Sequence, residues 1–183
     1  MVAVRDPDAK RQQLLEAGLV EFAEHGIAGA RMDRIAKLAG CSAGLVYSYF
    51  DNKEGLFEAV FLAIAERTVA EIPITPHDLP EYAGRLFDSH EAHPEFVRLV
   101  TWQQLERSAQ IPLVVEANCR KANAIRSAQD DGLIASRFDA AELLLMVFTL
   151  SAMWATEPPA DDDAVRAHRR AIVVEAVRRL VES

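Results

Sequence analysis

RMDRIAKLAGCSAGLVYSYF, running from Arg31 to Phe50, decides the fold. Ile35, Ala36 and Ala39 share one helical face, with Met32 a turn earlier. Gly40 stops that helix, because glycine takes the left-handed conformation that a sharp reversal needs. Ser42 is a good N-cap for a second helix, in which Val46, Tyr49 and Phe50 recur at helical spacing. Ala36 is small where two crossing helices must approach closely. A short helix, a Gly turn and a second short helix make a helix-turn-helix, whose second helix can lie in the DNA major groove. The same pattern also fits a helical hairpin with no DNA role. Gly40-Cys41-Ser42-Ala43-Gly44 matches G-x-S-x-G, the nucleophile elbow of serine hydrolases, but that motif needs a strand before its serine. Here the preceding residues have helical period and no β-branched run.

Working outward, residues 8 to 25 read as a first helix. Leu15, Leu19, Phe22 and Ala23 form its stripe, Glu16 and Glu24 face water, and Gly26 follows as a C-cap. That stripe has the helix-turn-helix as its nearest packing partner. Beyond Phe50, Asp51 as N-cap and Glu54 three residues later resemble a capping box that opens a new helix. Leu56, Phe57, Val60, Phe61 and Ile64 carry its apolar face to about Ala70, and Pro73 and Pro76 end it. Lys53 at its N-terminus suits a phosphate. An exposed capping turn with a solvated lysine is the competing reading.

The rest of the chain shows only helical patterns: from Asp78 to about His90, from Pro94, from Pro112 to Asp131-Gly132, from Asp139, and from Asp161-Asp162-Asp163 onward. Leu143 to Ala155 is apolar all round apart from Thr149 and Ser151, so it must be covered on every side. Ile172, Val173, Ala176, Val177, Leu180 and Val181 give the last helix a wide stripe. That is more surface than one subunit easily covers, and pairing the last two helices of two copies into a four-helix bundle solves it. A monomer that tucks both helices inside is the alternative. The expectation is an all-α chain with an N-terminal three-helix, helix-turn-helix domain at 8–68 (the motif itself at 31–50) and a larger helical domain at 69–183.

Half of the 183 residues are hydrophobic, enough for a sizeable core. The formal net charge of −8 argues against an indiscriminate nucleic-acid binder. Between Arg31 and Lys53, however, Arg31, Arg34, Lys37 and Lys53 outnumber Asp33 and Asp51. No apolar run is long enough for a membrane span, and MVAVRDPDAK lacks the apolar core of a signal peptide, so the chain is expected in the cytoplasm, away from membranes. Cys41 and Cys119 lack metal-ligand spacing. His90 and His93 sit three apart, but Pro94 disfavours helical geometry at His93, which reads as a solvated helix end. Asp88-Ser89-His90 is no triad, since adjacent helical residues point about 100° apart. Neither a metal nor a cofactor is expected.

LLEAGLVEFAEHGIAGARMDRIAKLAGCSAGLVYSYFDNKEGLFEAV resembles the N-terminal domain of TetR-type transcriptional regulators. The run Ile35-Ala36, Ala39-Gly40, Ser42, Gly44, Tyr47, Tyr49-Phe50, Lys53-Glu54 and Leu56 carries the likeness. It covers about a third of the chain; the remainder matches in being all-helical and of fitting length. The resemblance implies a homodimeric repressor on double-stranded operator DNA, not an enzyme, whose C-terminal domain pairs subunits and often holds a small-molecule effector. Carried over, the second motif helix enters the major groove. Ser42 then serves as cap, and Ala43, Gly44, Leu45, Tyr47 and Ser48 face DNA, with Val46 and Phe50 turned to the core. Tyr49 and Lys53 reach phosphate, and Arg31 a phosphate or a guanine edge. Two departures stand out: many members place a basic residue where Ala43 stands, and often Thr where Ala30 stands.

For the effector, the larger domain offers polar and aromatic residues on apolar helices: Phe87, His90, Phe96, Trp102, Gln103, Arg107, Asn118, Phe148 and Trp154. An apolar cavity with a few polar anchors is the usual form of such a site. Core packing competes with that role at each aromatic.

Overall fold

A computed structural model describes residues 6–107, 111–155, 157, 160 and 162–182. Among them are nine α-helices, one 3-10 turn at Pro76–Asp78 and no strand, so the all-α class read from the sequence is the one adopted. The helices are α1 (Pro7–Gly29), α2 (Met32–Leu38), α3 (Ala43–Tyr49), α4 (Lys53–Glu71) and α5 (Leu79–Ala92). After them come α6 (Pro94–Glu106), α7 (Pro112–Asp130), α8 (Ala140–Ser151) and α9 (Asp163–Val181).

Most boundaries sit where local chemistry puts them. Ser42 Oγ accepts from the Leu45 amide at 3.3 Å and opens α3. Asp139 accepts from Ala141 N at 2.8 Å and opens α8. Gly40, at φ +59, closes α2 by a Schellman arrangement: Cys41 N donates to Ala36 O at 2.9 Å, and Gly40 N to Lys37 O at 3.2 Å. Gly132, at φ +71, does the same for α7. One cap differs from its expectation. Asn52, not Asp51, starts α4, accepting from Gly55 N at 2.8 Å. That shift by one residue leaves Glu54 outside any capping box. Asp161 lies outside the described residues, and Asp162 caps α9 through Ala164 N at 2.8 Å.

Over the described residues the chain forms two compact units. One is Met1–Glu66 with Arg98–Gln110; the other is Arg67–Val97 with Ile111–Ser183. Among the described residues, 98–107 group with the first unit, whereas the expected division into 8–68 and 69–183 counts them with the second. In that unit Leu14, Phe22, Ile35, Val46, Leu56 and Phe57 are fully buried, and the Phe22 and Phe57 rings meet edge-on at 5.2 Å. In the second, α5 packs on α8 and α9 and α7 packs on α8. Tyr82, Leu86, Phe87, Ile125, Leu143, Val147, Val173 and Val177 form the core. α8 and α9 are not fully covered. Leu145 on α8 is 65 % exposed and Ile172 on α9 38 %, and Met153, in the turn after α8, is 47 % exposed.

Candidate nucleic-acid interface and effector cluster

The side chains of the helix-turn-helix divide as amphipathic spacing dictates. Val46 and Phe50 are buried; Tyr47 is half exposed, and Gly44 and Ser48 are open to solvent. Ala43, Leu45 and Tyr49 are half-buried. Ser48 Oγ donates to Leu45 O at 2.7 Å, which leaves its lone pairs as acceptors. Arg31 and Lys37 are exposed at opposite ends of α2. This arrangement offers a hydroxyl, a phenol and two cations around a helix whose other face is anchored in the core.

The remaining cations are occupied within the chain. Lys53 Nζ donates to Ala28 O at 3.2 Å and Ala30 O at 3.3 Å. Lys10 Nζ donates to Ala39 O at 2.9 Å, at the turn of the motif. Arg34 donates to Gly29 O at 2.7 Å and pairs with Glu21 at 2.6 Å.

Glu21 escaped the sequence reading. Its carboxylate is only 3 % exposed and also accepts from Arg31 N at 2.9 Å, the amide that begins α2. Burial pushes its pKa up. The hydrogen bonds from Arg34 and the Arg31 amide outweigh that and leave it below the ordinary carboxylate value. The available signal was its place seven residues after Leu14, on the buried stripe. Glu106 was missed as well: it accepts from Ile27 N at 2.8 Å and Ala28 N at 2.9 Å. Its partners lie too far along the chain for local pattern to show.

The residues proposed for an effector separate into groups. Phe87 and Trp154 meet edge-on at 6.1 Å, and His90 Nδ1 lies 3.1 Å from Ser151 O. Phe148 carries the Lys121 ammonium 5.1 Å above its ring. These belong to the second unit. Burial holds the His90 imidazole below its ordinary pKa, against the opposing effect of the Ser151 carbonyl, so Nδ1 is read as the donor of a neutral ring. Close in sequence, Tyr82 is fully buried; its hydroxyl has no hydrogen-bond partner among the described residues, and burial pushes it up to about 12. Phe96 is sandwiched between Arg67 at 4.4 Å and the stacked ring of His93 at 4.8 Å. Asn118 is half-buried on α7.

Trp102, Gln103 and Arg107 lie in the first unit. Trp102 Nε1 donates to Ala23 O at 3.3 Å, and Arg107 pairs with Glu58 at 2.7 Å. No group of three or more His, Cys, Asp or Glu poised for a metal occurs among the described residues, and His93 instead faces Glu95 at 3.3 Å. Asp88 pairs with Arg170 at 2.9 Å rather than with His90. Among the described residues no helix is long and apolar enough to cross a membrane.

The family model for bacterial regulatory proteins of the tetR family matches residues 14–60, and that for the tetracyclin repressor-like C-terminal domain matches 78–179. The transcriptional repressor SCO4008 of Streptomyces coelicolor is 36 % identical over 99 % of this chain and 100 % of its own length. Among solved structures, the transcriptional regulator SCO4942 of the same organism superimposes with a TM-score of 0.84 at 37 % identity, covering 94 % of this chain and 98 % of that one. FadR of Bacillus subtilis, solved with stearoyl-CoA, shares the fold at 20 % identity and a TM-score of 0.61, over 91 % and 96 % of the two chains. These relatives are regulators of transcription, and Ser42 acts here as a helix cap.

Proposed function

Because the chain belongs to the tetR family of bacterial regulatory proteins, we infer that it is a cytoplasmic, homodimeric repressor that releases its operator when a small, mainly hydrophobic effector binds. The observation that carries the DNA reading is the two-sidedness of α3. Its inner face is fixed by buried Val46 and Phe50, while Gly44, Tyr47 and Ser48 are exposed, as are Arg31 and Lys37 on the neighbouring α2. Arg31, Tyr47 and Ser48 supply the phosphate and base-edge contacts, with Ser42, Ala43, Gly44 and Leu45 bringing the helix close and Tyr49 at its rim. Lys53 acts first through the backbone that it clamps and only secondarily through phosphate. With Ala43 and Leu45 at the groove, side-chain readout is sparse, and DNA shape carries part of the specificity.

The homodimer is supported by the apolar surface left open on α8 and α9. A two-fold pair places its recognition helices on successive major grooves, about 34–36 Å apart. The effector is assigned to the cluster of Phe87, His90, Phe148 and Trp154, with the Tyr82 hydroxyl as a further polar anchor. Effector and DNA then weaken each other's binding by the same factor.

The deciding experiment selects genomic fragments on the purified protein and titrates the enriched duplex against a shuffled one over a range of salt. A salt-dependent preference for the enriched duplex is expected. Equal binding to both sinks the operator reading. Operator affinity unmoved by a broad panel of apolar ligands sinks the effector.

A further inference from the structure

The junction that feeds the helix-turn-helix is held by side chains from four helices. At Gly26 the backbone of α1 breaks, with φ +68 and ψ −178. In an unbroken helix Ile27 N would donate to Ala23 O. Here α6 supplies both missing partners: the Glu106 carboxylate accepts from Ile27 N at 2.8 Å and Ala28 N at 2.9 Å, and Trp102 Nε1 donates to Ala23 O at 3.3 Å. The bend is also shaped to receive them. A Cβ on Gly26 would lie 2.6 Å from Glu106 Oε1 and 2.9 Å from the Trp102 ring. The next carbonyls are taken by Lys53, at Ala28 and Ala30, and by Arg34, at Gly29. Glu21 then takes the Arg31 amide, where α2 begins. Every backbone group named here is an orphan of a helix end, and a partner from elsewhere in the fold must satisfy it.

We propose that Glu106 and Trp102 are positioning residues for operator recognition. In this assignment, which rests on the DNA-binding reading above, the operator-reading unit is discontinuous and includes the C-terminal half of α6. The two family models put residues 14–60 in one domain and 78–179 in the other, so they count Glu106 with the helical domain. Its hydrogen bonds and its packing group put it with the recognition helices. α2 packs on α1 and α3 on α2, so the direction in which the junction leaves Gly26 sets the aim of α3. Freed from Glu106, the Ile27 and Ala28 amides lose their acceptor, and Lys53 still holds the Ala28 carbonyl in the next peptide unit.

The test uses the full chain, the duplex it selects from genomic DNA and a shuffled duplex of equal composition, well below the unfolding temperature. Glu106→Ala is expected to weaken the selected duplex about tenfold, the loss of roughly one charged hydrogen bond, with the shuffled duplex nearly unchanged. Hydrogen exchange at the Ile27 and Ala28 amides accelerates in parallel. Glu106→Gln keeps an acceptor oxygen and recovers part of both effects. Leu105→Ala, at a neighbour 72 % exposed, changes neither. A brace that serves stability alone would speed exchange and leave the selected-to-shuffled ratio untouched, and that result overturns the proposal. If Glu106→Ala does not fold, Glu106→Gln and Trp102→Phe decide, and an unaltered ratio in both is the overturning result. Failure of the unmodified chain to prefer any selected duplex sinks the operator reading itself, which the exchange data in the variants then separate from a fault in the joint.

Discussion

Gly44 has no reason inside the molecule to be glycine. Its φ is not in the left-handed region, which Gly26, Gly40 and Gly132 occupy, and a Cβ built there would meet nothing within 4 Å. A glycine in a helix costs up to about 1 kcal/mol relative to alanine. The DNA-facing role proposed for Gly44 supplies a reason, since a missing side chain lets a helix approach a surface closely. Gly44→Ala is expected to stabilise the fold by up to about 1 kcal/mol in denaturant titrations while lowering affinity for the selected duplex. Stabilisation with affinity unchanged would remove Gly44 from the contact surface. The two cations flanking the motif are expected to behave differently. Arg31→Ala should flatten the dependence of log K on log salt by about one phosphate's worth and leave thermal stability alone. Lys53→Ala should lower stability by about 1 kcal/mol, since the carbonyls of Ala28 and Ala30 lose their donor.

Between neighbouring elements, the Glu21 carboxylate ties α1 to the start of α2 and to Arg34. Its folded pKa lies below its unfolded one, so its contribution is fully present above the ordinary Glu value, near 4.3. It is lost as pH falls from there through the folded pKa. Glu21→Gln should therefore flatten the stability-versus-pH curve below about pH 4.3, and a curve of unchanged slope there would contradict the pairing. The elements themselves were legible wherever the determinant was local. Gly40, Gly132, Ser42 and Asp139 each fix a boundary by their own backbone or side-chain chemistry. Asn52 was misassigned to its neighbour because Asp and Asn both cap well, and the choice depends on the phase at which Leu56 and Phe57 enter the core. Glu21 was invisible because a carboxylate on an amphipathic helix is ordinarily read as solvated. Glu106 was invisible because the amides it serves are 79 and 78 residues away.

For the whole molecule, the wide stripe of the last helix beside the apolar run at residues 143–155 signalled more surface than one chain easily covers, and Leu145 on α8, Met153 just beyond it and Ile172 on α9 do remain open. A charge placed there is tolerated by a monomer and not by a buried pair of helices. Leu145→Glu is expected to convert a dimer into folded monomers at micromolar concentration, read by sedimentation velocity, and to weaken operator binding through the lost second half-site. A variant that sediments like the parent would move the interface elsewhere. The placement of the residues proposed for an effector was only half legible: aromatic content pointed equally to Phe87 and to Trp102, and only tertiary packing sends the first to the helical domain and the second to the Gly26 bend. That bend bears on how such regulators can be recombined. A chimera joined after α4, between the regions the two family models cover, would exchange α6 along with the C-terminal helical half. The grafted half must then bring its own acid and indole to the bend, or the hybrid will fold and misaim its reading helix.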